Sequence, residues 1–390
     1  MDALGFIDKE YVLSIRRELH MHPEIGFDLP MTTALIRREL DALGIPYTEQ
    51  YGKSSIVGFI NPESSGFSIG LRADTDALPL TEKTGLPYAS QHEGKMHACG
   101  HDAHTAMLLG TAKALKAVEK QLQCKVVLIF QACEEGQFSG ARLMVEDGVT
   151  DLVDIILGMH VENWLEAGTM GICPGKAMAA SHPLHIEFFG KTAHATLPQT
   201  GVNALAMAVE TYNGIQTLLA TQMDPFEKYV CSVGQLEGGT TTNVIPDYAQ
   251  MKISLRTYDT DVERYIVDNI RAIAENAAQR RGGTITFWDE TKALPLVNHP
   301  VITEKAMAVL EKVAGKNNVV TMPIKMSSED FSFYLSKKPG VFIRLGTRNA
   351  AKGCTTLPHN NDFLIDEDAL ELGCKTFVQF VCDYMDGFTL

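Results

Sequence analysis

Residues 95–109 read KMHACGHDAHTAMLL and place five potential metal ligands within eight positions: His97, Cys99, His101, Asp102 and His104. A cysteine thiolate, histidine imidazoles and a carboxylate together suit a transition metal such as zinc. The apolar spacing that follows predicts a helix beginning near His104. The alternative for this stretch alone is a helix start, with Asp102 as its cap and the histidines as surface polar groups.

Further potential ligands follow predicted strands downstream. The segment CKVVLIFQACEEG predicts a buried strand that ends in Glu134 and Glu135, and DIILGMH predicts another that ends at His160. Adjacent residues on an extended backbone point to opposite sides, so one glutamate can bind a metal while the other reaches into a cleft. His359 lies in a later segment, LPHNNDF. We interpret these residues as one metal site rather than as scattered surface carboxylates and structural histidines.

Composition and charge exclude several classes of protein. A length of 390 residues with 45% hydrophobic residues fits two domains with full cores. The net charge of -14 argues against nucleic acid or an anionic membrane surface as a partner. No stretch reaches the roughly 18 apolar residues that a membrane-spanning helix needs. Eight scattered cysteines, and an N-terminus without the layout of a signal peptide, predict a cytoplasmic location.

The pattern of elements changes near residue 181. Residues 182–292 read as strand, helix, strand, strand, helix and strand, which is the βαββαβ order of a ferredoxin-like unit. We therefore predict an inserted α+β domain at 182–292 within an α/β domain formed by 1–181 and 293–390. In the α/β domain, the apolar part of the predicted strand FSIGLRAD leads directly into charged side chains, where such sheets place functional residues: Arg72, Asp74 and Asp76.

Nine segments in order carry a resemblance to a known family: RRELHMHPEIGF, GLRADTDALPL, HEGKMHACGHDAHTAML, FQACEEG, LGMHV, FFGKTAHATLPQTGVNA, GGTTTNVIP, MSSEDFSFY and LPHNNDF. The chain resembles the M20 metallopeptidase family in its amidohydrolase branch, which includes N-acyl-amino-acid amidohydrolases, hippurate hydrolases and auxin-conjugate hydrolases. The resemblance implies a zinc-aminopeptidase-like α/β catalytic domain with an inserted ferredoxin-like domain that serves as lid and dimerisation domain.

The resemblance also implies a metal centre with two divalent ions per subunit, zinc first, with manganese, cobalt or nickel as alternatives. The implied ligands are Cys99, His101, Glu135, His160 and His359. Glu134 is implied to be the general base for a metal-activated water that attacks the amide carbonyl. Most of the family has a histidine ligand where this chain has Arg72, and Cys99 resembles the substitute of this branch. Asp74, His97 and His104 are then expected to support the ligands rather than to bind metal.

The inserted domain is implied to complete the site in a homodimer. His194, in GKTAH, matches the histidine that family members contribute from a partner subunit, where it would stabilise the oxyanion. Asn243 and Arg256 match positions that hold the carboxylate or carbonyl oxygen of the substrate. The alternatives are a loop residue for His194 and a charge on a strand face for Arg256. Gln199 replaces a histidine that is frequent in the branch, which leaves the acyl group open.

The expected activity is metal-dependent hydrolysis of the amide bond of small N-acyl amino acids. A dipeptidase or an N-acetyl-diaminopimelate deacetylase of the same family is the alternative. A different enzyme class would use Cys99 as a nucleophile with His101 or His97 as base, and chelators would not inhibit it. A non-catalytic, metal-dependent binding or scaffold protein is a further alternative, against which Glu134 argues.

Overall fold

The computed structural model describes residues 2–136 and 138–389. The chain divides into two compact units. Unit 1 comprises Met1–Ala177, Val297–Ile324 and Asp330–Leu390, and unit 2 comprises Met178–Leu296 and Lys325–Glu329. The short segment Lys325–Glu329 thus groups with unit 2, although it lies within the range predicted for the α/β domain.

The helices, numbered in chain order over the described residues, are α1 (Lys9–Met21), α2 (Pro30–Ala42), α3 (His101–Ala117), α4 (Gly140–Glu146), α5 (Ala204–Thr221), α6 (Thr260–Arg281), α7 (Pro300–Ala314), α8 (Ser332–Leu335) and α9 (Leu370–Tyr384). The strands are β1 (Tyr47–Thr48), β2 (Ile56–Ile60), β3 (Ser68–Asp74), β4 (Lys125–Gln131), β5 (Ile155–Glu166), β6 (Met170–Ile172), β7 (Gly175–Met178), β8 (His182–Phe189), β9 (Ala193–His194), β10 (Tyr229–Gly238), β11 (Val244–Ile245), β12 (Tyr248–Thr257), β13 (Thr284–Asp289), β14 (Leu296–Asn298), β15 (Val319–Thr321) and β16 (Gly340–Arg348). Among the described helices, none combines the length and apolar character needed to cross a bilayer.

Unit 1 is built on a mixed sheet in the order β1-β2-β4-β3-β5-β16-β6-β15. Its four central strands, β4, β3, β5 and β16, are parallel and buried on both faces, as expected for strands that read as continuous apolar runs. One face packs against a core to which α1, α3, α7 and α9 contribute. The carboxyl ends of parallel strands lie at one edge of the sheet, which is where α/β folds place ligand sites.

Three local features of unit 1 differ from the sequence-based expectation. The strand predicted to end at His160 continues to Glu166, so His160 lies within β5. Helix α3 begins at His101 rather than near His104, because Gly100 caps it with a left-handed φ of 86°. A Cβ at Gly100 would approach Val161 Cγ2 to 2.4 Å, so this position requires glycine. The predicted extended backbone at Glu134 is also wrong, since β4 ends at Gln131 and the glutamates lie in a turn.

Unit 2 contains an antiparallel sheet in the order β10-β12-β8-β13, with α5 and α6 packed on one face. Alternate residues of β8, such as Leu184, Ile186 and Phe188, are buried beneath the helices, while their neighbours face away from this core. This is the strand order of a ferredoxin-like unit. The predicted fold class, an α/β unit with an inserted ferredoxin-like α+β unit, is confirmed. The roles of unit 1 as catalytic domain and unit 2 as lid stay predictions.

Unit 2 contains a titratable cluster at the start of β8. His182 Nδ1 lies 3.0 Å from Glu263 Oε1, and His182 Nε2 lies 3.5 Å from Asp289 Oδ2. Burial alone would lower the pKa of His182, but the hydrogen bond and charge of Glu263, with Asp289, outweigh burial and raise that pKa above 6.5. The charged ring therefore stabilises unit 2 fully below about pH 6.5, and this contribution is lost as the pH rises through the raised value.

We expect His182→Gln to lower the melting temperature at about pH 6. At about pH 9 the melting temperature of the variant should be close to that of the wild type, as measured by scanning calorimetry. His185→Gln, at the same strand but only half-buried, is the matched control. An equal loss at both pH values would contradict the role of the charged ring.

Candidate metal centre

The five ligands implied by the resemblance come together at the carboxyl edge of the unit 1 sheet. The ligand atoms of Cys99, His101 and His160 lie within 4.8 Å of one another, as do those of Cys99, Glu135 and His359. Cys99 belongs to both groups. A thiolate shared by two ligand groups is able to contact two neighbouring cations.

His160 presents one ring nitrogen to the cluster. Its Nδ1 lies 2.6 Å from the carbonyl oxygen of Val161, which can only accept, so Nδ1 carries the proton. Its Nε2 lies 3.3 Å from Cys99 Sγ and keeps its lone pair. Burial, followed by the charges of His104 and Arg344, holds the pKa of His160 well below its usual value. The ring is therefore neutral, which is the form that binds a metal.

His104 is excluded as a ligand because both of its ring nitrogens are occupied. Its Nε2 accepts the Val161 backbone N–H at 2.9 Å, so Nδ1 carries the proton and donates to Asp74 Oδ1 at 2.5 Å. The second oxygen of Asp74 accepts from Arg72 at 2.7 Å. Burial would raise the pKa of Asp74, but the charges of His101, His104 and Arg72 hold it well below its usual range. Asp74 thus connects Arg72 to His104.

Arg72 occupies a buried position behind the ligand cluster. Its guanidinium donates to Asp74, to Gln131 at 2.8 Å and to Asp330 at 2.9 Å. Asp330 in turn accepts from Ser139 Oγ at 2.7 Å, just before α4. A guanidinium has no lone pair to offer a metal, and here it joins β3, β4 and the segment before α8.

His101 is a buried residue of the cluster, and neither of its ring nitrogens has a hydrogen-bond partner among the described residues. Its Nδ1 lies 3.4 Å from Asp76 Oδ1 and its Nε2 lies 3.8 Å from Asp74 Oδ2, and neither contact meets the geometry of a hydrogen bond, the second because it is too long. Burial would lower the pKa of His101, yet the charges of Asp74, Asp76 and Glu135 outweigh it and raise that pKa to about 10. A buried imidazole without hydrogen-bond partners among carboxylates fits a cation, which would satisfy both the ring and the negative charge.

Cys99, Glu135 and His359 form the second group. His359 Nε2 lies 2.9 Å from Glu135 Oε1, and this contact raises the pKa of His359. Burial, followed by the charges of Glu135 and Glu134, raises the pKa of Cys99 well above its usual value. A bound divalent cation would instead lower the pKa of the Cys99 thiol, since a coordinating thiol is deprotonated. His359 has a left-handed φ of 64°, and its N–H donates to the Ala98 carbonyl at 2.8 Å, beside Cys99.

Asp76 also belongs to this centre, and its contacts are not evident from the sequence. Its two oxygens accept the backbone N–H groups of Glu134 at 3.0 Å and Glu135 at 3.1 Å. The side chains of both glutamates lie in a group with His101, with ligand atoms within 4.8 Å of one another. The sequence marks Asp76 only as a charge after a strand, because backbone acceptors leave no signal in side-chain spacing.

The three residues predicted to bind substrate lie in unit 2. His194 Nδ1 accepts the Thr196 N–H at 3.2 Å, so the ring proton lies on Nε2, which is available to donate. Strands β9 and β11 pair, and the Ala195 N–H donates to the Asn243 carbonyl at 3.0 Å, which holds Asn243 beside His194. Arg256, on β12, donates to Ser328 Oγ at 2.6 Å. The action of these residues on a ligand at the metal centre stays a prediction.

Comparisons with known proteins identify the family. The model of peptidase family M20/M25/M40 matches residues 70–383. N-acetyl-L-cysteine deacetylase of Bacillus subtilis (strain 168) is 36% identical over 94% of this chain and 86% of its own length. Thermostable carboxypeptidase 1 of Saccharolobus solfataricus is 35% identical over 94% of this chain and 93% of its own. The crystal structure of the Bacillus subtilis YXEP protein, described as a dinuclear metal binding peptidase from the M20 family, superposes with a TM-score of 0.78 at 32% identity, covering 96% of this chain and 97% of that chain.

The chain belongs to peptidase family M20/M25/M40. The predicted membership in the M20 amidohydrolase branch is confirmed, as is the predicted enzyme class, a metallo-amidohydrolase. The ligand set, the general base and the substrate-binding residues remain predictions that the geometry above supports.

Proposed function

We propose that this protein hydrolyses the amide bond of N-acyl amino acids at a centre of two divalent cations. Cys99, His101 and His160 would hold one cation, and Cys99, Glu135 and His359 the other. The observation that carries the proposal is that Cys99 belongs to both ligand groups, beside His101, whose buried ring nitrogens have no hydrogen-bond partner. Thiolate and imidazole donors favour zinc over magnesium or calcium, with manganese, cobalt and nickel as alternatives.

The protein's own residues supply the proton transfers. The bound cations would act as Lewis acids that lower the pKa of water and polarise the amide carbonyl. Glu134 would take the proton from the attacking water and pass it to the leaving amine. Asp76 holds the backbone of Glu134 by accepting its N–H, and this contact does not involve the carboxylate of Glu134.

His194 would stabilise the oxyanion that develops on the carbonyl. Its Nδ1 accepts from Thr196, so its Nε2–H is the donor that an oxyanion requires. By resemblance to the family, His194 acts from unit 2 of a partner subunit. The proposed assembly is therefore a homodimer formed through unit 2.

Arg256 would bind the free α-carboxylate of the amino-acid half. It is half-buried, and burial lowers its pKa, as expected for a cation without a compensating carboxylate. Its described hydrogen bond is to a neutral hydroxyl, that of Ser328. A planar guanidinium suits a carboxylate, which would restore the charge balance.

The relatives point to one common linkage in the substrate. A deacetylase acting on N-acetyl-cysteine and a carboxypeptidase both cleave an amide whose nitrogen belongs to an amino acid with a free carboxylate. This linkage supports N-acyl amino acids as the proposed substrate class, with the acyl group left open. A dipeptidase is the second candidate function, since the carboxypeptidase relative acts on peptides.

Release of free amino acids from a panel of substrates tests the proposal. The panel contains N-acetyl-methionine, hippurate, N-acetyl-diaminopimelate and dipeptides, each with and without a chelator. We expect release from at least one N-acyl amino acid, inhibition by the chelator and recovery on addition of zinc or manganese. Release that resists chelation but stops on thiol alkylation would instead indicate Cys99 as a nucleophile.

Substitution of Arg256 should affect binding of the carboxylate. A hydrogen-bonded charge pair contributes about 1.5–3 kcal/mol, so we expect Arg256→Gln to lower kcat/KM by about 10- to 100-fold. Arg256→Lys should recover only part of this loss, because an ammonium lacks the planar fork. The measurement compares kcat/KM for N-acyl amino acids with kcat/KM for their carboxamide analogues. For the carboxamides, Arg256→Gln should change kcat/KM little.

Arg264→Gln is the matched control, since Arg264 is exposed on α6 of the same unit. If Arg256→Gln reduced hydrolysis of the carboxamide as strongly as that of the acid, Arg256 would not bind the carboxylate.

A further inference from the structure

The turn that carries Glu134 and Glu135 has an unusual backbone. Cys133, just before them, adopts a left-handed φ of 58°, which non-glycine residues seldom do. Such a conformation is strained and persists only where the surroundings hold it. The turn connects β4 to α4 and has no regular secondary structure of its own among its described residues. Contacts from outside the turn add to those within it, such as the Gly140 N–H that donates to the Cys133 carbonyl at 2.9 Å.

Asp76 provides a contact from outside the turn. Successive N–H groups beside a left-handed residue can form a concave anion-binding nest. Here the anion is the carboxylate of Asp76, with one oxygen 3.0 Å from the Glu134 nitrogen and the other 3.1 Å from the Glu135 nitrogen. Asp76 is buried, and its backbone lies two residues beyond the end of β3. The neighbouring Thr75 Oγ1 also donates to the Gln131 carbonyl at 3.0 Å, which joins the same two segments.

We propose that Asp76 is a positioning residue for hydrolysis, which sets the separation of the general base from the metal ligands. The proposal rests on the proposed function of Glu134 as that base. Asp76 holds the backbone of Glu134 and Glu135 and also lies 3.4 Å from His101 Nδ1. One carboxylate therefore holds the backbone of both glutamates and also lies beside the imidazole of His101. Asp76 makes these hydrogen bonds with backbone N–H groups and not with the glutamate side chains.

The end of the turn next to α4 is held separately, by Asp330. Asp330 Oδ2 accepts from Ser139 Oγ at 2.7 Å and from the Ala141 N–H at 3.2 Å. Asp330 is itself held by Arg72 and Gln131. Loss of the Asp76 contacts should therefore displace the glutamates locally without unfolding unit 1.

The test is Asp76→Asn, which keeps the shape of the side chain. Its amide oxygen can accept one N–H, but its NH₂ group faces the other N–H and repels it. We expect kcat to fall on the order of 10²-fold with little change in KM, because a misplacement of about 1 Å has this effect on a reacting group. Glu24→Gln is the matched control, since Glu24 is buried in unit 1 and its two oxygens accept the N–H groups of Met31 at 3.1 Å and Thr32 at 2.8 Å.

A second readout does not depend on activity or on metal. In the metal-free protein, amide hydrogen exchange at Glu134 and Glu135 should be faster in Asp76→Asn than in the wild type and unchanged in Glu24→Gln. Unaltered kcat, unaltered amide exchange, or an equal loss of kcat in Glu24→Gln would each overturn the proposal. Failure of the proposed base is distinguishable, because it would show as an active Glu134→Gln variant, whereas amide exchange reports on Asp76 alone.

Discussion

Glu134→Gln is expected to retain its bound metal and to lose almost all turnover. The substitution keeps the size of the side chain and the backbone N–H that donates to Asp76, so the turn should keep its shape. It removes the carboxylate that would take the proton of the attacking water. Because general-base catalysis contributes about 10²–10⁴-fold, we expect kcat to fall by at least about 10²-fold. The measurements are steady-state release of an amino acid and metal content by elemental analysis.

Glu146→Gln is the matched control, because Glu146 is exposed on α4 and forms an ion pair with Arg142. This variant should be as active as the wild type. A Glu134→Gln variant with the activity of the wild type and a full metal content would contradict the assignment of the base. Loss of metal together with activity would instead make Glu134 a ligand.

Cys99→Ala is expected to remove both cations. Cys99 is shared by the two ligand groups, whereas His359 belongs only to the second. We therefore expect bound metal to fall from about two ions per chain to well below one in Cys99→Ala, and to about one in His359→Ala. Elemental analysis after dialysis against metal-free buffer measures this difference. Hydrolysis should be lost in the cysteine variant.

Cys374→Ala controls for loss of a buried thiol, since Cys374 lies in the core of unit 1 away from the ligand groups. That variant should lose stability but keep its metal. Equal metal contents in Cys99→Ala and His359→Ala would show that the thiolate is not shared between two ions.

The sequence predicted the site best where the residue types themselves indicate metal binding. Cysteine, histidine and glutamate before a predicted helix and after or at the end of predicted strands indicated a metal site, and the structure brings Cys99, His101, Glu135, His160 and His359 together. For Glu135 and His160 the reason is topological, since β4 and β5 are parallel strands of one sheet and bring segments distant in the chain to the same side. The order of elements likewise predicted the ferredoxin-like sheet of unit 2.

The sequence was least informative where backbone atoms make the contact. The nest at Asp76 depends on the left-handed Cys133, which periodicity does not reveal. The start of α3 at His101 depends on the left-handed Gly100 before it. The roles of Arg72 and His104 became clear only from their hydrogen bonds, which come from segments distant in the chain.

Anomalous diffraction from crystals loaded with zinc would show whether the cluster around Cys99 holds the two cations proposed for amide hydrolysis. We expect two anomalous peaks per chain, one contacted by Cys99, His101 and His160 and the other by Cys99, Glu135 and His359. A structure of the active enzyme with no peak beside Cys99, or with metal bound only elsewhere, would contradict this expectation.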